Sequence, residues 1–94
     1  MHEVVWSETA LVQLQVIRAS IEQFNPKAAG EVAEGLIAAG NNLAHFPHRG
    51  RAVSGATMRE LVIPAYPYVI RCRIVRDTVR ILRVRHSARR PTIP

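Results

Sequence analysis

The sequence predicts a small α+β domain of order β-α-α-β-β-β, an N-terminal helical hairpin packed on a mainly antiparallel sheet. Three observations predict it. Between residues 8 and 46 apolar side chains recur at spacings of three and four, the period of one helical face. Between residues 68 and 76 side chains alternate in the period of a strand, with Arg71 and Arg73 on one face and Ile70, Cys72 and Ile74 on the other. The junctions inside each half are too short for anything but antiparallel neighbours. A chain of 94 residues makes one domain, 1–94, and 48% hydrophobic residues suit a folded chain rather than a disordered one.

Each element has its own local cause. Glu3 to Trp6 is β-branched and aromatic and reads as a strand. Ser7 is an N-cap for a helix whose stripe is Ala10, Leu14, Ile17, Ile21 and Phe24. Asn25-Pro26 ends that helix and starts the next, with Asn25 as cap and Pro26 at the first helical position. Ala29, Val32, Leu36, Ala39, Leu43 and Phe46 form the second stripe. Gly30, Gly35 and Gly40 weaken that helix and suit a close approach to the first one. Their spacing is not a phosphate loop, because Leu36 and Ile37 follow Gly35 where lysine and a hydroxyl residue are needed.

Pro47 closes the helical half, and Pro47 to Thr57 reads as a loop. Three strands follow: Met58–Ile63, Tyr68–Arg76 and Val79–His86, the last two joined by a tight turn at Arg76-Asp77-Thr78. In the second of these, Tyr68, Ile70, Cys72 and Ile74 face one way and Val69, Arg71, Arg73 and Val75 the other. The tail from Ser87 reads as irregular.

Charge divides the chain more sharply than hydropathy does. Residues 1–48 carry Arg18 and Lys27 against five glutamates, net −3; residues 49–94 carry eleven arginines against Glu60 and Asp77, net +9. Arginine is always ionised and its planar fork suits phosphate and carboxylate. The second half is therefore expected to meet an anionic partner: nucleic acid, a ribosome or an acidic protein segment. The acidic helices are unsuited to a major groove, and too few aromatics interleave the arginines for a stacking platform. Cys72, the lone cysteine, excludes an internal disulfide and fits a reducing compartment. With no secretory pattern at the N-terminus and no apolar run of membrane length, a cytoplasmic protein is expected.

Metal-free RNA cleavage needs an acid, a base and cations on the phosphoryl oxygens. The residue types exist: His86 as acid or base, Arg89 with Arg83 or Arg85 as clamps, Arg59 from a neighbouring strand, and Tyr66 or Tyr68. Their spacing does not require convergence, and His86 fits better as a hydrogen-bonded histidine at the end of a strand. His45 and His48 lack further ligands nearby, so no metal and no cofactor are expected.

The ordered set of motifs (P-H-R-G-R, then M-R-E-L, Y-P-Y-V-I-R-C-R-I and V-R-I-L-R-V-R-H-S-A-R-R) resembles the RelE/ParE superfamily of bacterial toxins across nearly the whole chain. These are the toxins of type II toxin–antitoxin, or plasmid stabilization, modules. The resemblance implies a disordered, acidic antitoxin that covers the helical hairpin and sheet. It also implies one of two activities. The RelE-like branch cleaves mRNA on the ribosome; the ParE-like branch poisons DNA gyrase. RelE-like enzymes usually carry arginine at the position of Val69 and a tyrosine or histidine after the last arginines. Here Arg90 is followed by Pro91, Thr92, Ile93 and Pro94, although Arg89 matches the branch's late arginine. The expectation is a ParE-like gyrase inhibitor that contacts target or antitoxin through Arg71, Arg73, Arg83, Arg85, Arg89 and Arg90. The alternatives are a RelE-like endonuclease using His86, Arg89 and Arg59, and an inactive member that only binds its antitoxin.

Overall fold

A computed structural model describes residues 1–55 and 57–88. The chain runs β1 (Glu3–Trp6), α1 (Glu8–Glu22), α2 (Pro26–Asn41), a single 3-10 turn (Asn42–Ala44), β2 (Arg51–Ser54), β3 (Met58–Val62), β4 (Tyr68–Val75) and β5 (Thr78–His86). The five strands form one sheet in the order β1-β5-β4-β3-β2. All neighbours are antiparallel except β1 and β5, which run parallel. Two helices on a mainly antiparallel sheet is the predicted class, with one strand more than expected. Arg51–Ser54 pairs with β3, although Pro47–Thr57 reads as loop. It is a four-residue edge strand whose register shifts between Ala52 and Ser54, so it carries no period to detect.

The caps form as the sequence predicts. Ser7 Oγ accepts from Ala10 N–H at 3.0 Å, and Asn25 Oδ1 accepts from Ala28 N–H at 3.1 Å. The stripes are narrower than predicted. Ala10 and Leu14 are buried on α1, and Ala29, Ala33, Leu36 and Gly40 on α2. Phe24 and Phe46, the far ends of the two predicted stripes, are 87% and 60% exposed because each lies beyond the helix that would have turned it inward.

Of the α2 glycines, Gly35 and Gly40 make room for the sheet and its loops rather than for α1, and Gly30 faces open space. A Cβ on Gly40 would collide with the Trp6 indole and stand 2.8 Å from Ile81 Cδ1. One on Gly35 would stand 2.6 Å from the Tyr66 ring. The Trp6 indole lies against α2 and donates to Asn41 Oδ1 at 2.9 Å.

The core lies between helices and sheet. Ala10, Leu14, Leu36 and Leu43 meet Leu61, Ile63, Ile70, Cys72, Val79, Ile81 and Val84. The pairing of β4 with β5 slips by one residue opposite Arg71/Cys72, leaving Leu82 as the extra residue of a bulge. Before it Val79 and Ile81 point to the core; after it Val84 does. Without the bulge the period of two would have turned Val84 outward.

Candidate functional site

Residues directly opposite in neighbouring strands share a face. On the outer face of the sheet, away from the helices, the register sets Arg51, Glu60, Arg71 and Arg83 in one row across β2, β3, β4 and β5. Arg73 and Arg80 face each other in the next row toward the β4–β5 turn, and Arg85 lies opposite Val69. Six arginines thus share one surface. Arg71, Arg73, Arg83 and Arg85 were expected there. Arg51 and Arg80 were not: strict alternation back from Arg83 puts Arg80 on the opposite face and only the Leu82 bulge brings it round, while an unrecognised strand hid Arg51. Arg89 and Arg90 lie outside the described residues.

Glu60 organises the middle of this surface. It is 7% exposed. Arg71 donates to its Oε2 from Nε at 3.1 Å and from Nη2 at 2.8 Å, and Arg85 Nη2 approaches the same oxygen at 3.4 Å. Burial by itself would raise the carboxyl pKa. The hydrogen bonds and charge of Arg71, then of Arg85, outweigh that and hold it below the ordinary glutamate value. Two arginines are therefore fixed in orientation by one carboxylate. Arg73, Arg80 and Arg83 extend exposed around them. Arg71 faces Arg83 and Arg73 faces Arg80, like-charge neighbours that a sheet does not adopt for its own stability.

Of the residues considered for RNA cleavage, Tyr68, Arg85 and His86 line one groove beside α1, Arg59 stands apart from them, and Arg89 lies outside the described residues. His86 pairs opposite Tyr68 on the helix side of the sheet, their rings edge to face with centroids 5.4 Å apart. Its Nδ1 accepts from Ala88 N–H at 3.1 Å, the hydrogen-bonded end-of-strand state expected of it. Arg59 lies opposite Cys72, four residues along β4 from Tyr68 and therefore about 13 Å away along the strand. Its Nη1 donates to Gly50 O at 2.6 Å and weakly to His48 O at 3.4 Å, which ties it to the loop before β2. Tyr66 packs against Gly35 of α2. Cys72 is 1% exposed; burial pushes its thiol pKa up, and the nearby Arg59 charge only partly offsets this. Among the described residues no three of histidine, cysteine, aspartate and glutamate converge as metal ligands, and no helix is long and apolar enough to cross a membrane.

A second surface was not foreseen. A groove of about 370 Å³ runs between α1 and the end of β5, lined by Val12, Gln13, Val16, Ile17 and Ser20 on the helix and by Tyr68, Val84, Arg85 and His86 on β4 and β5. Val12 and Val16 are 51% and 61% exposed. The sequence signal was there, since Val12 and Val16 are one turn apart on α1 and outside its buried stripe.

Comparison with known proteins agrees with the architecture. The profile of the ParE toxin of type II toxin–antitoxin system, parDE, matches residues 4–91. Toxin RelE2 of Caulobacter vibrioides is 47% identical over 89 residues, 95% of this chain and 99% of that protein. Toxin RelE1 of the same organism is 41% identical over 65 residues, 67% of this chain and 69% of the other. A solved chromosomal ParDE TA system from P. aeruginosa superposes with a TM-score of 0.80 at 19% identity, covering 92% of this chain and 96% of the other, and so shares the fold.

Proposed function

The chain belongs to the ParE toxin family and is the toxin of a type II toxin–antitoxin system, and from that premise we propose that it inhibits DNA gyrase and is neutralised by a cognate antitoxin. The observation that carries this reading is the division of the sheet. Arg51, Arg71, Arg73, Arg80 and Arg83 lie with Glu60 on the outer face, whereas His86, the candidate acid or base, points to the helix side, where of the six arginines Arg85 alone reaches the groove that His86 lines. Cleavage of a phosphodiester needs both around one phosphate. Val69 adds to the argument: an arginine is expected there in the RelE-like branch, and here the position holds a buried valine, 5% exposed. A cationic surface with two arginines preset by a carboxylate suits occlusion of an acidic or phosphate-bearing target better than turnover. The antitoxin reading rests on the same charge asymmetry. An acidic segment that orders on binding matches a chain of net charge +6 whose outer sheet face carries six arginines against one glutamate.

The names of the two relatives favour a second reading, ribosome-dependent mRNA cleavage. Inducing the chain alone separates the two. Gyrase inhibition predicts loss of supercoiling activity by purified gyrase with the toxin present, intact mRNA by primer extension, and undiminished toxicity of His86→Ala. New mRNA ends at defined codons, lost in His86→Ala, would overturn it in favour of the endonuclease. Normal growth with antitoxin binding retained would instead mark an inactive member whose basic surface serves its antitoxin alone.

A further inference from the structure

β5 is covered along one edge for only half its length. β1 pairs with Thr78–Ile81 and ends at Trp6, where the chain turns into α1. Ser7 N–H donates to Ile81 O at 2.9 Å, and Ser7 Oγ donates to Leu82 O at 3.0 Å. Beyond this no described strand lies on that side of Leu82–His86. One backbone group there is nevertheless satisfied. Val84 N–H donates to Gln13 Oε1 at 2.7 Å, so a side-chain amide from α1 takes the position that a neighbouring strand's carbonyl would hold. Backbone groups in a strand alternate sides, so Val84 C=O and, two residues on, His86 N–H face the same edge.

We propose that Gln13 is a displaceable placeholder on an open strand edge, and that an extended antitoxin segment takes its place by pairing with Val84 and His86 in line with β1. The inference rests on the toxin–antitoxin reading and adds the mode of capture. The surroundings define the segment's chemistry. One set of its alternating side chains would point toward Val12 and Val16 across the groove, which calls for apolar residues. The other set would point to the outer face beside Arg83 and Arg85, which calls for acids. An acidic–apolar alternation is thus what this edge selects. While free, the edge is protected from pairing with other chains because its buried donor is already occupied. The segment must break the Gln13 bond to bind, which lowers its apparent affinity and makes Gln13 a residue that sets the strength of capture.

The test uses the full chain, free and in complex with the antitoxin co-expressed from its operon. Backbone amide exchange is read at Val84 and His86, and affinity is measured for the wild type and Gln13→Ala. Both amides are expected to become protected in the complex. Gln13→Ala is expected to speed Val84 exchange in the free chain and to tighten antitoxin binding roughly fivefold, the worth of one net hydrogen bond. A neutralising antitoxin that leaves both amides exchanging as in the free chain would overturn the proposal while sparing the toxin reading. So would unchanged or weakened binding by Gln13→Ala. A co-expressed partner that neither binds nor restores growth defeats the toxin–antitoxin reading, and this inference with it.

Discussion

The two faces of the sheet are built from the same strands and obey different rules. On the helix side Ile70, Cys72, Val79, Ile81 and Val84 close against Ala10, Leu14 and Leu36, with Arg59 and Gln13 at the margins of the cluster. On the outer side six arginines crowd a single glutamate, with like charges set directly opposite one another. The first face minimises the free energy of the isolated chain. The second does not, since a sheet built for its own stability would alternate signs across its strands. A face that is suboptimal for folding and organised in charge is best understood through what it meets. Leu82 holds the two together: its bulge keeps Val84 inside and Arg83 and Arg85 outside after the run of residues would have inverted them.

Substitutions can break this division in either direction. The largest effect is expected on the helix side. Ile81→Ala empties a fully buried site beneath Trp6 and Gly40 and should lower the unfolding free energy by about 3 kcal/mol in urea titration. Antitoxin affinity measured well below the unfolding midpoint should be unchanged. A large loss of affinity without loss of stability would blur the division. Glu60→Gln, at the centre of the other face, should destabilise by about 1–2 kcal/mol at neutral pH, a figure held down because Arg71 and Arg85 are part-solvated.

Glu60 also sharpens the acid limb of stability. Its folded-state pKa is depressed, so its contribution is complete above the ordinary glutamate range and fades as pH falls through the lower folded-state value. Stability of the wild type should therefore drop on acidification more steeply than that of Glu60→Gln. Parallel curves would deny Glu60 its role in holding the arginines. The smallest effect is expected from Arg83→Ala, which relieves an opposed pair with Arg71. It should raise stability by a few tenths of a kcal/mol (about 0.3) while shortening retention on a polyanionic column and weakening partner binding. Loss of both stability and binding would mean that this face, too, is built for the fold.

Much of the helix side could be read in the residue order. Ser7 and Asn25-Pro26 cap helices as their chemistry dictates, and β4 turns Ile70, Cys72 and Ile74 inward and Arg71 and Arg73 outward, though Val69 is buried as well. What escaped were features set by neighbours rather than by local pattern. β2 is a short bulged strand whose R-A-V-S reads as loop until β3 lies beside it. Phe24 and Phe46 continue a helical period past the point where the helices stop. Arg59 was grouped with His86 by residue type; register separates them, because strand pairing is long-range information. Glu60 and Gln13 carried no motif, and each matters through the groups that tertiary structure places against it.

The parallel pairing of β1 with β5 has a consequence for biosynthesis. Ser7 and Leu82, hydrogen-bonded in the finished protein, stand 75 residues apart. Helices α1 and α2 can form as soon as they are made, but the strand that β1 pairs with and that α1 packs against arrives only after all of them. Closing so long a loop is slow, and until it closes the apolar faces of the hairpin have no sheet to rest on. The arginine surface is likewise split until β5 joins β4. Both the core and the arginine surface therefore wait on the same last strand, and they are completed together.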